Sequence, residues 1–318
     1  MCGEIFSILN KDDNEVSKEE IETIIEKKKQ NLKTIETHQG KNSEYINELG
    51  EIALLQLELE QYSDSEKNYL TCLDFFKKQQ DRLGQAAVYG VLGTLFFKKG
   101  EYYESITHYS SALNIYEELN QVQEVITCMK GIGNAYLKLN KLDDACDEFL
   151  ECSAVCSDNN DIYNLLDCLG NLVLIHETQE KWDVVFELYK KTLRAFKEIQ
   201  DIKGIIVSYF NLGILLKEQQ KDDALRYFKK GTNLAIDSNY SELIIKGLSY
   251  IGETLFYLGR IKDAKNEYIK ALDLAKKIDA KNAIIQIEVL LKSFGLGEDD
   301  IKSELEAYKK ARNHALRD

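Results

Sequence analysis

A column of small residues, repeated about every 40 positions, constrains the fold of this chain more than any other feature. Six positions carry it with successive spacings of 40, 40, 40, 40 and 39: Ala53, Gly93, Gly133, Val173, Gly213 and Gly252. A second such position follows 11 or 12 residues later: Ser65, Ser105, Ala145, Val185, Ala224 and Ala264. An aromatic residue always comes four positions after that: Tyr69, Tyr109, Phe149, Tyr189, Phe228 and Tyr268. The chain is therefore built from a repeated unit.

Each unit has the pattern of two helices joined by a short turn. In residues 129–152, apolar side chains recur at helical spacing on both sides of a turn at Asn140. Small residues at Gly133 and Ala145 let the two helices approach closely, and Phe149 fills the adjoining space. One pair cannot bury its apolar faces alone, so the pairs must stack. We predict an all-α fold in which the structural core of the repeats is formed by Gly93, Gly133, Gly213, Gly252, Ala145, Ala264, Tyr69, Tyr109, Phe149, Tyr189, Phe228 and Tyr268.

The residues between the helices agree with this period. The chain contains no proline, which suits an array of uninterrupted helices. Turns within the pairs carry residues that tolerate a left-handed helix end: Gly100, Asn140 and Gly259. Turns between the pairs carry polar residues that we expect to act as N-caps: Asp81, Asn120, Asp161, Asp201, Asn239 and Asp279. A turn shortened at Gln219–Gln220 explains the single 39-residue step.

The periodicity also predicts the domain organisation. Residues 1–16 have no periodic pattern and form a poorly ordered N-terminal segment. Ser17 and Glu20 have capping-box spacing, so residues 17–40 form an N-terminal capping helix. Residues 41–279 hold about six 40-residue repeats in one continuous array. Residues 280–318 form a degenerate seventh pair, which we expect to be a polar C-terminal cap.

Charge and cysteine content narrow the function classes. The net charge of −13 disfavours nucleic acid as a partner. No apolar run reaches the roughly 20 residues of a membrane helix, so we expect a cytoplasmic chain without membrane insertion. Cys72 and Cys152 occupy small core positions, whereas Cys152 and Cys156 share a helix face near Cys146 and Cys168. Without a histidine or CxxC spacing in support, we predict neither a metal nor a cofactor.

The combination of small, aromatic and small residues resembles the tetratricopeptide repeat over residues 42–315. Two examples carry it: Gly93, Ser105, Tyr109 and Ala112, then Gly252, Ala264, Tyr268 and Ala271. The period here exceeds the family's usual length of about 34, and the family's proline is missing. Longer repeats of this type are similar to those of kinesin light chains, GoLoco-motif adaptors and Rap-type regulators. The resemblance implies a right-handed superhelical solenoid of antiparallel helix pairs. It also implies a protein-interaction scaffold that binds peptides or proteins in a concave groove, without catalysis.

Helical geometry then selects candidate groove residues on the first helix of each pair. The positions just after the small residue, three before it and four or five after it lie away from the second helix. We expect a mixture of amides, lysines and aromatic rings to bind an extended peptide there. The candidates at these positions are Lys130, Asn134, Lys138, Lys217, Phe97 and Phe210, and we add Asn171 and Asn211, which lie two residues before the small residue.

Two more specific hypotheses concern these residues. Lys130, Asn134 and Asn171 resemble three of the five positions of the carboxylate clamp that co-chaperone repeats use for chaperone C-termini. The other two positions hold Val207 and Asn211, where that family has basic residues. A second hypothesis treats Asn134, Asn171 and Asn211 as a ladder that binds a peptide main chain.

Three functional alternatives follow from the pattern. The first is the adaptor with a protein or peptide partner, and the second is a self-associating assembly subunit, hence a homo-oligomer. The third is a Rap-like signalling regulator, which the single helix before the repeats disfavours. Enzymatic activity is not expected. Cys2–Gly3 resembles the start of the N-terminal-nucleophile glutaminases, but nothing downstream resembles the rest of that domain. The four histidines are also scattered over different units: His38, His108, His176 and His314.

Overall fold

The computed structural model describes residues 17–217 and 221–315, which form fifteen helices and no strand. The first eight are α1 Lys18–Gln39, α2 Ser43–Glu58, α3 Tyr62–Lys78, α4 Arg82–Lys99, α5 Tyr102–Glu118, α6 Val122–Lys138, α7 Leu142–Asp158 and α8 Ile162–Thr178. The others are α9 Trp182–Glu198, α10 Ile202–Leu216, α11 Lys221–Asp237, α12 Ser241–Tyr257, α13 Ile261–Lys277, α14 Lys281–Ser293 and α15 Glu298–Ala315. The predicted segment 1–16 and the turn at Gln219–Gln220 lie outside the described residues.

Fourteen of these helices form the predicted pairs, from α2–α3 to α14–α15. The fold class is an all-α helical-repeat solenoid, as the 40-residue period predicts. The chain divides into two compact units, residues 1–168 and 169–318, and the division falls inside α8. Nothing in the sequence marks this division, because the repeat pattern continues through it without a change in spacing.

The glycine column of the first unit lies directly against aromatic rings. A Cβ atom added to Gly133 would lie 2.8 Å from the Phe149 ring, and one added to Gly93 would lie 2.7 Å from the Tyr109 ring. The Ser105 hydroxyl donates to the Gly93 carbonyl at 2.8 Å, so the second small position touches the first. Larger side chains at the glycines would push the rings outward.

The second unit repeats this contact with one variation. A Cβ atom at Gly213 would lie 2.6 Å from the Phe228 ring, and one at Gly252 would lie 3.0 Å from the Tyr268 ring. Where Val173 replaces the glycine, the corresponding ring of Tyr189 is only half-buried, and its hydroxyl bonds Glu177 at 2.9 Å. A β-branched residue at the contact position thus accompanies a more exposed ring.

The turns show that three of the predicted N-caps were assigned one residue too early. The carboxylates of Asp81, Asp161 and Asp201 accept from backbone N–H groups three residues on, as N-caps do. Asn120, Asn239 and Asp279 instead have φ of 56°, 58° and 53° and end the preceding helix in the left-handed conformation. Asn and Asp tolerate both positions, so composition alone does not distinguish them.

The two ends of the described chain differ in polarity. At the N-terminal end, Ser17 and Glu20 form the capping box, and Ile21 and Ile25 pack against α2. At the other end, α15 is charged, but α14 leaves Ile285 and Val289 61% and 60% exposed. The expectation of a polar terminal pair therefore fits only its second helix.

No helix in the described part of the chain is both long and apolar enough to cross a bilayer.

Candidate functional site

The candidate surface is the outward stripe of the first helices, called here the first-helix stripe. It comprises the residues three before, one after, and four or five after each position of the small-residue column. On α6 these are Lys130, Asn134 and Lys138, of which the first two are half-buried and Lys138 is exposed. Their spacing of four places them along one side of the helix.

Lys130 is held by an ion pair in the first unit. Its ammonium lies 2.6 Å from the Asp167 carboxylate and 2.8 Å from the Asn164 side-chain oxygen, both on α8. Lys98 of α4 similarly reaches Glu58 of α2 at 3.1 Å. These pairs join successive first helices and neutralise the lysines. A carboxylate clamp centred on Lys130 would have to displace Asp167 first, which weakens that hypothesis.

The second unit contains an equivalent ion pair. Lys217 lies 2.9 Å from Glu253 of α12. The bond brings the stripe of α10 next to the stripe of α12, because both partners lie on those stripes. A lysine predicted to bind a peptide is here part of the contact between repeats.

Phe210 was predicted to line the groove, and this prediction is wrong. Its ring is 2% exposed and lies inside the core of the second unit. Cβ atoms added at Gly231 and Gly247 would lie 2.6 and 2.9 Å from that ring. The two glycines leave space into which the ring turns, and burial of a phenyl ring is strongly favourable.

Phe97 is half-buried and contacts Tyr102 edge-to-face, with ring centroids 5.5 Å apart. The contact lies at the turn between α4 and α5. A role for Phe97 in ligand binding stays a prediction, and its ring already packs against Tyr102 of its own repeat.

The asparagine ladder is only partly available for binding. The side chains of Asn134 and Asn211 are half-buried and make no hydrogen bond within the described residues. Asn171 is also half-buried, but it has an interaction partner within the protein. Asn134 lies in the first unit, whereas the other two lie in the second. Of the two asparagines in the second unit, Asn211 has an amide with unused donors and acceptors.

Exposed apolar side chains on the same stripe were largely missed from the sequence. Leu174 of α8 and Ile214 of α10 are 55% and 43% exposed, and both directly follow the small-residue column. Phe256 of α12, four residues after Gly252, is 43% exposed. All three belong to the second unit. Their place in the 40-residue period was the available signal. In the first unit the position of Leu174 holds Leu54, Thr94 and Asn134, of which only the half-buried Leu54 is apolar.

The histidines do not form a common site with these residues. His108 of α5 stacks on Phe96 with centroids 5.0 Å apart, and burial lowers its pKa below the ordinary value. Its neutral imidazole packs as an aromatic ring in the first unit.

The candidate surface as a whole consists of amides, apolar side chains and paired charges, a composition that suits the binding of a peptide.

Comparisons with known proteins agree with the repeat assignment. Residues 84–158, which span α4 to α7, match the family model of the tetratricopeptide repeat. The regulatory protein RapD of Bacillus subtilis is 25% identical over 147 residues, covering 46% of this chain and 42% of RapD. The chain thus matches less than half the length of that curated relative.

A solved structure of a Rap protein illustrates the likeness in fold. The apo form of RapI aligns with a TM-score of 0.61 at 16% identity, covering 93% of this chain and 86% of RapI. Repeats of a putative kinesin light chain from Podosopora anserina align with a TM-score of 0.47 at 10% identity, covering 63% and 99%. The family match over residues 84–158 and the likeness in fold to RapI agree with an array of tetratricopeptide-type repeats.

Proposed function

We propose that the chain is an adaptor that binds an extended peptide on the first-helix stripe of its second unit. The match to the tetratricopeptide-repeat model supports a protein-interaction scaffold, and the proposal concerns where and what it binds. The observation that carries it is the exposure of Leu174, Ile214 and Phe256, all apolar, on the first helices of one unit.

Apolar exposure of this kind suits peptide recognition. Full burial of one such side chain contributes about 1.5–3 kcal/mol. Because these three side chains are already about half-buried, binding gains about half of that from each, so together they supply only part of the roughly 8 kcal/mol of a micromolar complex, before ordering costs are subtracted. The amide of Asn211, three residues before Ile214, provides donors and an acceptor for a peptide main chain. We therefore expect a ligand with apolar side chains at intervals, rather than an acidic C-terminus.

The proposal can be tested with peptides selected on the purified chain from a random phage-displayed library. We expect Ile214→Asp and Phe256→Asp each to weaken binding of a selected peptide by about tenfold or more, since 1.4 kcal/mol corresponds to tenfold. Fluorescence anisotropy of the labelled peptide measures the affinity.

Ile236→Asp is the matched control, because Ile236 is 49% exposed on the second helix α11 of the same unit. It should leave the affinity unchanged. If Ile236→Asp weakens binding as much as Ile214→Asp does, the proposed surface is wrong.

A second candidate is a signalling regulator of the Rap type, favoured by the RapD relative and by the RapI alignment. The two candidates are compatible, since a regulator can also bind a peptide. Loss of phosphate from a phosphorylated response regulator upon addition of the chain would support this role. Unchanged phosphate lifetimes across the response regulators of the source organism would argue against it.

A further inference from the structure

Three cysteines from two helices converge in the core of the first unit. Cys152 and Cys156 lie on α7 and Cys168 lies on α8, and all three are 0% exposed. Their sulfur atoms all lie within 4.8 Å of one another. The Cys152 thiol also reaches the Ile126 carbonyl at 3.9 Å. Three sulfur atoms this close together can all contact one metal ion, whereas a disulfide would use only two of them.

The repeat period shows that this trio is unusual in its own chain. The corresponding three positions in the other repeats hold Cys72, Phe76 and Val88; Ala112, Tyr116 and Cys128; Thr192, Phe196 and Ser208; Gly231, Ala235 and Gly247; and Ala271, Ala275 and Ile287. In three of these five sets an aromatic ring stands where Cys156 stands. In a fourth, the Phe210 ring packs against Gly231 and Gly247. The position is therefore usually occupied by a large group.

We propose that Cys152, Cys156 and Cys168 bind a soft, thiophilic divalent cation of the Zn²⁺ class as three thiolate ligands. The proposal is independent of the peptide-binding surface. Thiolates select soft and borderline cations over hard ones. A metal–sulfur bond of about 2.3 Å requires ligand sulfurs about 4 Å apart in a three-ligand set. The sulfur atoms lie at most 4.8 Å from one another, so small side-chain rotations would bring them to the spacing that a bound metal ion requires.

The charges around the trio are consistent with such an ion. Burial raises the pKa of the Cys156 thiol to about 12, so without a cation this thiol stays protonated. Hydrogen bonding from Cys152 lowers the pKa of Cys168, and the nearby Lys130 ammonium acts in the same direction. A divalent ion with three thiolates carries one net negative charge. Lys130 lies close to Cys168 but is already paired with Asp167, so the metal–sulfur bonds have to outweigh the cost of burying that charge.

Binding exchanges protons for the metal without any redox step. Each thiol releases its S–H proton to solvent, and each sulfur then donates an electron pair to the cation. The ion joins α7 to α8, the second helix of one repeat to the first helix of the next. Metal binding should therefore stabilise the folded first unit.

Cd²⁺ is a suitable probe, because its thiolate complexes absorb in the near ultraviolet. Titration of CdCl₂ into the reduced full-length chain, in a Cys2→Ala background, should give a charge-transfer band that saturates at one ion per chain. Cys152→Ala, Cys156→Ala and Cys168→Ala should each weaken binding by about 100-fold or more, since loss of an outer-shell partner alone costs 10–100-fold. Thermal unfolding should show a higher midpoint with Cd²⁺ for the parent chain but not for these three variants.

Cys72→Ala and Cys128→Ala are matched controls, because these buried thiols occupy the repeat positions of Cys152 and Cys168. Both should bind Cd²⁺ like the parent chain. Alanine at the position of Cys152 is already present in two repeats, as Ala112 and Ala271, so the Cys152→Ala chain is expected to fold. The proposal is overturned if the reduced parent chain gives no band. It is equally overturned if Cys156→Ala retains the band, or if Cys128→Ala loses it.

Discussion

At the scale of single residues, Glu148 on α7 is a carboxyl group whose surroundings favour the protonated form. Burial, followed by the charges of Glu151 and Glu117, raises its pKa from 4.5 to about 7. The folded state therefore binds a proton that the unfolded state releases between these two pH values. The stabilising contribution of that proton is fully present below pH 4.5 and is lost as the pH rises through 7.

The Glu148→Gln variant keeps the neutral form at every pH. We expect it to be more stable than the parent chain at pH 8 by about 2 kcal/mol, a discounted value for a shift of this size in a partly solvated group. At pH 4 the two chains should unfold at similar temperatures. Circular dichroism melting curves at both pH values measure this. An equal difference at the two pH values would contradict the assigned pKa.

Glycines in the first unit provide a second prediction at this scale. A Cβ atom at Gly133 would meet the Phe149 ring at 2.8 Å, whereas one at Gly90 would meet nothing within 4 Å. Gly133→Ala should therefore lower stability by about 1–3 kcal/mol through overpacking. Gly90→Ala should raise it by about 0.5–1 kcal/mol, because alanine favours a helix interior over glycine. Thermal midpoints that move in the same direction would refute the contact between the paired helices.

At the scale of helices, the period predicted nearly all that the fold required. The glycine column, the aromatic column and the left-handed turn at Asn140 lie where a stacked helix pair needs them. The caps were less predictable, because Asp81 and Asn120 belong to adjacent turn positions that accept the same residue types. The residue types predict that a turn is present, but the local φ values decide which residue of the turn is the N-cap.

Side chains on the first-helix stripe were harder to predict, for an identifiable reason. Phe210 and Lys130 occupy the same position of the repeat, three residues before the small column. Lys130 stays at the surface and pairs with Asp167, whereas Phe210 turns inward over Gly231 and Gly247. The direction of such a side chain depends on glycines about 20 to 40 residues away in sequence, so helical spacing alone cannot supply it.

At the scale of the whole molecule, function depends on surfaces that the repeats bring together. The cysteine trio was not recognised as a ligand set from the sequence, because Cys168 follows Cys156 by twelve residues and lies on another helix. The apolar stripe was also largely missed, since exposed leucine and isoleucine in a helix pattern resemble core residues. The repeat type and the fold class were predictable. The side chains that face a ligand could be identified only from the packed structure.

The central claim is that a peptide lies on the first-helix stripe of the second unit, and cross-linking tests it most directly. A library-selected peptide carrying a benzophenone group in place of an apolar residue is irradiated with the chain, and the linked residue is found by mass spectrometry. We predict attachment within α10 or α12, on the helices of Ile214 and Phe256. Attachment to the second helices α11 or α13, or to the first unit, would contradict the account.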